Sequence, residues 1–448
     1  MTTMQSENHF IKYLGSLRLI AENKINKLTK QNIHDEYQLR ALGQLLEIWE
    51  KPPSDNESPG TNEKKSVTKK NVAGNHAIQN KEFLLHSYSK DEINKFSGKI
   101  FIGETLIEVW LEEALIEAGV EIRMANIGDE SWKKISSTLE GKNDLSNDQI
   151  FLASSGLIDT YLNIFIPENL DIHKPFCIQF NSQAQTSFSP LLINIEMDKN
   201  AQAKIAYLLE SEQNGRQEII NIPLILLVEL NESAKLDFIE VQNLSLSTRD
   251  HIYEIVRVRK NALINALNLD LGSVKSKRYY SVDLMEDGAE AVITGVYVPK
   301  NNQKFHMQTY QNHNASNTKS DLAFKGVLEG RSESYWKGNI FVGSEIFGVD
   351  SYQSNQNLCL SADAKVQSIP GLEILSDDVK CSHGVTISAV DMDQVFYMQS
   401  RGINTEDAIN LIKDGFISAA ISRVNDDGLK EILGKWLEIN NKPEIMLK

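Results

Sequence analysis

Two periodicities divide the chain. Over residues 1–50, apolar side chains recur three and four apart, as in "SLRLIAENKINKL" and "LRALGQLLEIWEK", a spacing that predicts amphipathic helices. From about residue 150 the period changes to two. "YLNIFIPENL", "LLINIEMD", "AKLDFIEVQ", "EIVRVRKNALINALNLDL" and "AVITGVYVP" alternate or run apolar over strand lengths. After residue 388 the helical spacing returns in "DMDQVFYMQSRG", "TEDAINLIKDGFISAAISRV" and "LKEILGKWLEI". Asp391 stands at an N-cap position with Gln394 three residues on and Gly402 past the end; Thr405 is the predicted N-cap of the next helix. Ile409, Ile412, Phe416 and Ala420 form the apolar stripe expected on that helix. Residues 51–75 have little to bury and read as a disordered linker. Residues 76–150 mix helix and short strand, as in "LIEVWLEEALIEAGVEIRMANI".

A turn signal recurs between the strands: Asn, Asp, Gly or Ser, then alanine, then a new strand. The alanines are Ala201, Ala234, Ala262, Ala289 and Ala364, and the first three gaps are 33, 28 and 27 residues. The last gap is 75, three intervals of 25, with Ala315 of "QNHNAS" 26 residues into it. Strands and tight turns repeating in the twenties of residues predict a solenoid. No LxxLxL pattern appears, and propeller blades need longer repeats. The expected fold is mainly β: a right-handed parallel β-helix core over 151–388. A mainly helical N-terminal domain (1–150) and a C-terminal helical domain (389–448) flank it. The ends of such a body must be capped or paired.

Composition narrows the function. The 448 residues carry a formal net charge of -15, from 46 basic and 61 acidic side chains, which argues against a nucleic-acid scaffold. Cys177, Cys359 and Cys381 are too few and too scattered for a disulfide framework, which favours a reducing compartment. No CxxC or Cys/His cluster suggests a permanent zinc site. The start "MTTMQSENHF" does not read as a secretory signal, and the apolar run Ile222–Val228 is too short to span a bilayer. A soluble, cytoplasmic protein without a membrane partner is expected. There is no GxxxxGK[ST] loop, so no nucleotide is expected to bind this chain.

The candidate chemistry sits in "DDVKCSHG" (377–384). On a strand, Cys381 and His383 point to one face. They could offer two ligands to a metal, form a thiol–imidazole pair, or be a buried thiol beside a hydrogen-bonded ring. Two ligands do not make a site, and nothing nearby supplies an oxyanion hole. Cys359 and Cys177 lie in apolar strands and read as core. His306 and His313 are seven apart, on opposite faces of a strand. No acidic pair stands out in the pattern of a β-helical carbohydrate-active enzyme.

"KGVLEGRSESYWKGNIFV", "YQSNQNLCLSADAKVQSIPGLEILSDDVKCSHGVT" and "DQVFYMQSRGI…A…LIKDGF" are similar, in order and spacing, to the SufB/SufD family of the SUF iron–sulfur cluster assembly system. The resemblance is dense over 279–424 and thin from about 150. It is nearer the SufD branch: SufB-like chains carry a glutamate where Gly384 stands and a cysteine at the position of Gln356. The acidic-Trp-Lys motif usual after the N-terminal helices is absent. The resemblance implies a non-enzymatic scaffold that pairs with SufB through the β-helix and docks the ATPase SufC on its C-terminal helices. It implies a transient iron–sulfur cluster, shared with the partner subunit, at His383 and, less strongly, Cys381. It implies ATPase docking through Phe396, Tyr397, Arg401, Gly402, Gly415 and Phe416. The isolated chain would form a homodimer. The alternatives are a SufB-like homodimeric scaffold and a β-helical carbohydrate-active enzyme.

Overall fold

The computed structural model describes Ala21 and residues 96–441, apart from 104–106, 128, 183–189 and 212–218. The helices expected in 1–50 and the linker expected at 51–75 lie outside the described residues. The described residues divide into two compact units, one holding 123–161 and the other 96–122 and 162–441.

The elements begin with β1 (Gly98–Ile102), β2 (Ile107–Leu111), α1 (Glu113–Glu117), β3 (Glu121–Asn126), α2 (Glu130–Glu140) and α3 (Gln149–Leu157). Next come β4 (Thr160–Ile166), β5 (Phe176–Ser182), β6 (Leu191–Met197), β7 (Gln202–Ser211), β8 (Ile220–Leu230), β9 (Lys235–Asn243), β10 (Thr248–Val258) and β11 (Leu263–Asp270). They are followed by β12 (Lys275–Leu284), β13 (Glu290–Tyr297), β14 (Lys304–His313), β15 (Lys319–Leu328), β16 (Glu333–Val342), β17 (Val349–Cys359), β18 (Lys365–Ile374) and β19 (Val379–Ala389). The chain closes with α4 (Met392–Gln399), α5 (Thr405–Ile421) and α6 (Asp427–Asn441). No described helix is long and apolar enough to cross a membrane.

In the smaller unit, α2 buries Trp132, Ile135 and Leu139, and Asp148 caps α3 by accepting from the Ile150 and Phe151 amides.

In the larger unit, successive strands alternate between two sheets from β4 onward. Odd strands from β5 to β19 form one sheet and even strands from β4 to β18 the other, every neighbour parallel. Each coil therefore adds one strand to each sheet, giving a parallel β-solenoid. The odd sheet also takes in β1, parallel to β5, and β2, antiparallel to β1. Sheet formation thus reaches well before residue 151.

The turn signal works through a left-handed residue followed by a small buried one. Asn200, Ser233, Asn261 and Gly288 have positive φ, and Ala201, Ala234, Ala262 and Ala289 after them are fully buried. Glycine and asparagine tolerate that backbone best. A Cβ on Gly288 would also fall 2.1 Å from the Asn261 side chain in the turn below. The later phase differs from the expected one. In the next coil the left-handed residue is Asn317 with buried Thr318 after it, whereas Ala315 is half-buried. Ala364 precedes β18 and so belongs to the turns of the other sheet; the 75-residue gap is not three coils in phase.

Inward side chains are not uniformly apolar. Arg278, on β12, is fully buried among Glu254 on β10, Glu240 on β9 and Asp270 on β11. It donates to Glu240 at 2.7 Å and through Nε to Asp270 at 3.1 Å, and it also pairs with Glu254. Asn268 donates to both Glu254 oxygens, at 2.9 and 3.0 Å. Beside this group, Asp250 accepts from Gln242 and Ser276, each at 2.7 Å. One guanidinium serves three carboxylates, so burial and the neighbouring Glu240 and Asp250 push Asp270 well above the carboxylate range. Burial raises Asp250 to about 6, against hydrogen bonds from Ser273, Ser276 and Gln242 and the charge of Arg278.

Helices α5 and α6 cover the outer face of the odd sheet. Ile417, Ala420, Val424, Leu429 and Leu433 pack with Ala206, Ile239, Leu267, Val296 and Val327. Arg423 donates to the Thr294 hydroxyl at 2.9 Å and pairs with Asp321 at 3.2 Å. The buried face of α5 is Ala408, Lys413, Ile417 and Ala420, so the predicted stripe is rotated: Ile409, Ile412 and Phe416 flank it. Lys413 is accommodated by Glu329, 3.7 Å away. Asn404, not Thr405, caps α5, because its backbone is extended and its side chain accepts from the Asp407 amide at 2.9 Å. Asp391 caps α4 as expected.

Removing the only cation from the buried cluster leaves carboxylates uncompensated. Arg278→Met is expected to lower the stability of the full chain in urea unfolding by about 3–5 kcal/mol; a loss under about 1 kcal/mol would contradict this role for the cluster. Asp250 binds its proton more tightly folded than unfolded. Its contribution is therefore fully present below an unfolded pKa of about 3.9 and is lost as pH rises through about 6. Between pH 4 and 7 the wild type should lose roughly 2–3 kcal/mol relative to Asp250→Asn. Parallel pH–stability curves for the two proteins would refute the assignment.

Candidate functional site

The solenoid ends in an open coil. β18 and β19 are the edge strands of their sheets, and neither contains a buried residue. Earlier strands alternate buried and outward positions, as β14 and β16 do. The difference is one of stacking: every inward side chain up to β17 is covered by the next coil, and those of β18 and β19 are covered by none among the described residues. Leu372 and Ile387, in register with buried Ile340 and Asn357, are consequently exposed, as are Ile369 on the outer face and Leu375 just past β18. A long unpaired edge beside exposed apolar residues is a natural template for another chain.

"DDVKCSHG" lies on that edge. Cys381 stands in register with Ser351, His383 with Gln353, and Gly384 with Ser354. Ser351 and Gln353 are buried in the lumen. Cys381 and His383 therefore share the lumen-side face, as the two-residue period requires. Cys381 packs against Ile340, Val342 and Val349 and is half-buried, whereas His383 is exposed. Burial, and then the charge of Asp350, raises the Cys381 thiol. Among the described residues no three or more His, Cys, Asp or Glu side chains converge in a metal-binding group. The chain offers two soft ligands at a rim, and further ones would have to come from elsewhere.

The two positions that separate the branches of the resembled family share the outer face, since Gly384 is in register with Ser354, two residues before Gln356 on β17. A Cβ on Gly384 would meet the Tyr352 hydroxyl at 2.9 Å, and Tyr352 is exposed. Gln356, on β17, lies on the opposite face from buried Asn355 and Asn357. Cys359 ends β17 half-buried, its thiol raised by burial. Cys177 is in the core under α5 and α6, and burial pushes its thiol to about 12.

His306 and His313 do face opposite ways. Buried His313 bonds Thr318 at 2.7 Å and Ser320 at 2.9 Å, and burial lowers its pKa to about 4, so it is a neutral structural group. His306 lies on the outer face, its ring 4.4 Å from that of Tyr335.

The six helical candidates separate into two groups. Phe396 and Tyr397 on α4 are 71% and 61% exposed. Arg401 lies over the Tyr397 ring at 5.2 Å and donates to its hydroxyl at 3.1 Å. Gly402 has φ 89°, the left-handed conformation that ends the α4 segment, and Gly415 has open space where a Cβ would be. Phe416 turns the other way: the Lys325 ammonium lies 4.5 Å over its ring and donates to its carbonyl at 3.3 Å. Met392 and Leu411 are also exposed apolar residues of α4 and α5. For Leu411, its position off the stripe predicted for α5 was the available signal.

Residues 178–416, more than half of the chain, match the family described as "SUF system FeS cluster assembly, SufBD core domain". The "Iron-sulfur cluster assembly protein SufD" of Escherichia coli is 32% identical over 161 residues, 36% of this chain and 38% of that one. A SufBD family protein of Mycobacterium leprae, ML0594, is 28% identical over 39% of this chain and 46% of its own. A SufBD family protein of Synechocystis, slr0076, is 22% identical over 67% of each. The alignments thus span less than half the length of the first two relatives.

The three thiols should differ in reactivity. With iodoacetamide on the native chain at pH 8, Cys177 is expected to stay unlabelled while Cys381 and Cys359 are alkylated slowly, since burial raises both. Peptide mapping that found Cys177 labelled as fast as Cys381 would contradict this ordering.

Proposed function

The chain belongs to the SufBD family of SUF-system iron–sulfur cluster assembly proteins, and from that premise we propose that it is a non-catalytic scaffold of the SufD type. It acts in complex with a SufB subunit and the ATPase SufC, in the cytoplasm. The observation that carries this reading is the open last coil, where Cys381 and His383 present an incomplete ligand set at an unpaired edge. A partner solenoid pairing with β18 and β19 would cover the exposed apolar residues and could bring the missing ligands. His383 is the favoured ligand to a nascent cluster and Cys381 the supporting one, since its raised thiol must lose a proton to bind iron.

Gly384 and Gln356 support SufD over SufB: the first removes a carboxylate from the rim, and the second puts an amide where the resembled SufB branch has a thiol. The ATPase would dock on α4 through exposed Phe396 and Tyr397, with Arg401, Gly402 and Gly415 on the same helical pair. Phe416 supports that pair from below, by holding α5 on the solenoid. A homodimer of the isolated chain would use the same open end.

Co-expression with SufB- and SufC-type partners, purification, and iron and sulfide analysis test the proposal. A ternary complex is expected. His383→Ala should leave it intact, because the side chain is exposed in the isolated chain, while cluster content falls several-fold. Unchanged cluster content would remove His383 from the site, and failure to retain an ATPase would overturn the assignment.

A further inference from the structure

On the outer face of the even sheet, the first outward positions of five consecutive strands stand in register: Arg249, Lys275, Lys304, Glu333 and Lys365. Parallel neighbours are about 4.8 Å apart, so four cations and a single carboxylate share one row. The next outward row holds Lys277, His306 and Tyr335, also in register. This density of positive charge stands out in a chain with a net charge of -15.

Glu333 is already committed. It pairs with Lys304 at 2.8 Å and with Lys365 at 3.5 Å. Lys275 has no such carboxylate among the described residues, and its neighbours are cations. Burial, and then Arg249, Lys304 and Lys277, lower its pKa. Like charges stacked one strand apart repel, and the repulsion is relieved by an anion placed between them.

Lys275, Lys304, Glu333 and Lys365 of this row line a groove of about 390 Å³, together with Phe305, His306 and Tyr335. That volume exceeds what an inorganic anion fills and lies in the range of small-molecule sites. The His306 ring meets Tyr335 edge-on, with ring centroids 4.4 Å apart and planes at 68°. One wall is therefore aromatic and the other cationic.

We propose that this groove binds a small phosphate monoester carrying a planar ring, with the phosphate bridging Lys275 and Lys304 and the ring against Tyr335. Lysine ammonium groups bind phosphate as point charges, and the bridging geometry suits an oxyanion with several acceptor oxygens. The half-buried Tyr335 ring adds contact area for a ring and little for a bare ion. The site is independent of the cluster-scaffold reading: it uses none of the residues of the open coil's ligand pair or of the ATPase-docking helices.

Phenyl phosphate is the simplest probe, with inorganic phosphate and benzoate as controls. Titrations of the full chain at low ionic strength, followed by isothermal calorimetry and ³¹P line broadening, should give saturable binding of phenyl phosphate. Inorganic phosphate and benzoate should bind several-fold more weakly. Lys275→Ala and Lys304→Ala should each weaken phenyl phosphate about tenfold, in line with the loss of one charge-assisted hydrogen bond. Tyr335→Ala should weaken phenyl phosphate and leave inorganic phosphate unchanged. Without ligand, Lys275→Ala should melt no lower than wild type, since it removes repulsion; this separates lost binding from lost folding. Absence of saturable binding up to 20-fold molar excess at millimolar protein, or equal affinity in the lysine variants, would overturn the site. Equal binding of phenyl phosphate and inorganic phosphate would overturn the role of the ring.

Discussion

The in-register parallel pairing of successive coils is the constraint from which the larger unit follows. Because residues two strands apart are aligned one to one, each inward side chain lies on the inward side chain of the coil before. Burial therefore propagates: a coil becomes core only when the next coil is laid on it. The constraint also fixes where it fails. At β18 and β19 the stack stops, two backbone edges are left, and side chains that would be core elsewhere meet solvent. The motif "DDVKCSHG" owes its accessibility to that position and to nothing in its own eight residues.

The same stacking makes a polar lumen expensive, and the chain meets the expense locally. Arg278 is surrounded from three strands of both sheets, its partner Glu254 is tied further by Asn268, and neighbouring Asp250 is held by Gln242. Such a group costs desolvation free energy that its ion pairs offset only while all members are present. The outer faces carry other business. Helices α5 and α6 cover the odd sheet with aliphatic side chains, and the even sheet displays a cationic row beside aromatic rings.

Much of this was legible in the residues. Period-two patterning located the strands, and the asparagine–alanine turns announced a coil, because a left-handed residue followed by a small one is a local requirement. Phase was harder to read. Thr318 takes the buried place after Asn317 as well as alanine does, and Ala364 sits in the other turn, so counting alanines alone misplaced the later coils. The strand pairing of β1 was hidden because its partner, β5, is distant in sequence. Asn404 and Thr405 are both competent caps, and the backbone rather than composition decides between them. Period gave Cys381 and His383 a common face, but only the end of the stack shows why one is half-buried and the other exposed. The Arg278 cluster escaped notice because its members come from four strands, and a charge at an inward position reveals nothing of its partners.

If the open coil is the surface on which the scaffold is completed, its backbone must change state when a partner arrives. Amide hydrogen exchange over Lys365–Ile374 and Val379–Ala389, in the isolated chain and in the complex with a SufB-type subunit, measures this directly. The account predicts faster exchange on these edge strands than on β12 to β15 in the isolated chain at low concentration, where self-association is absent. It predicts protection of β18 and β19 by at least about tenfold on complex formation. Unchanged exchange at this edge, with new protection elsewhere on the solenoid, would contradict it.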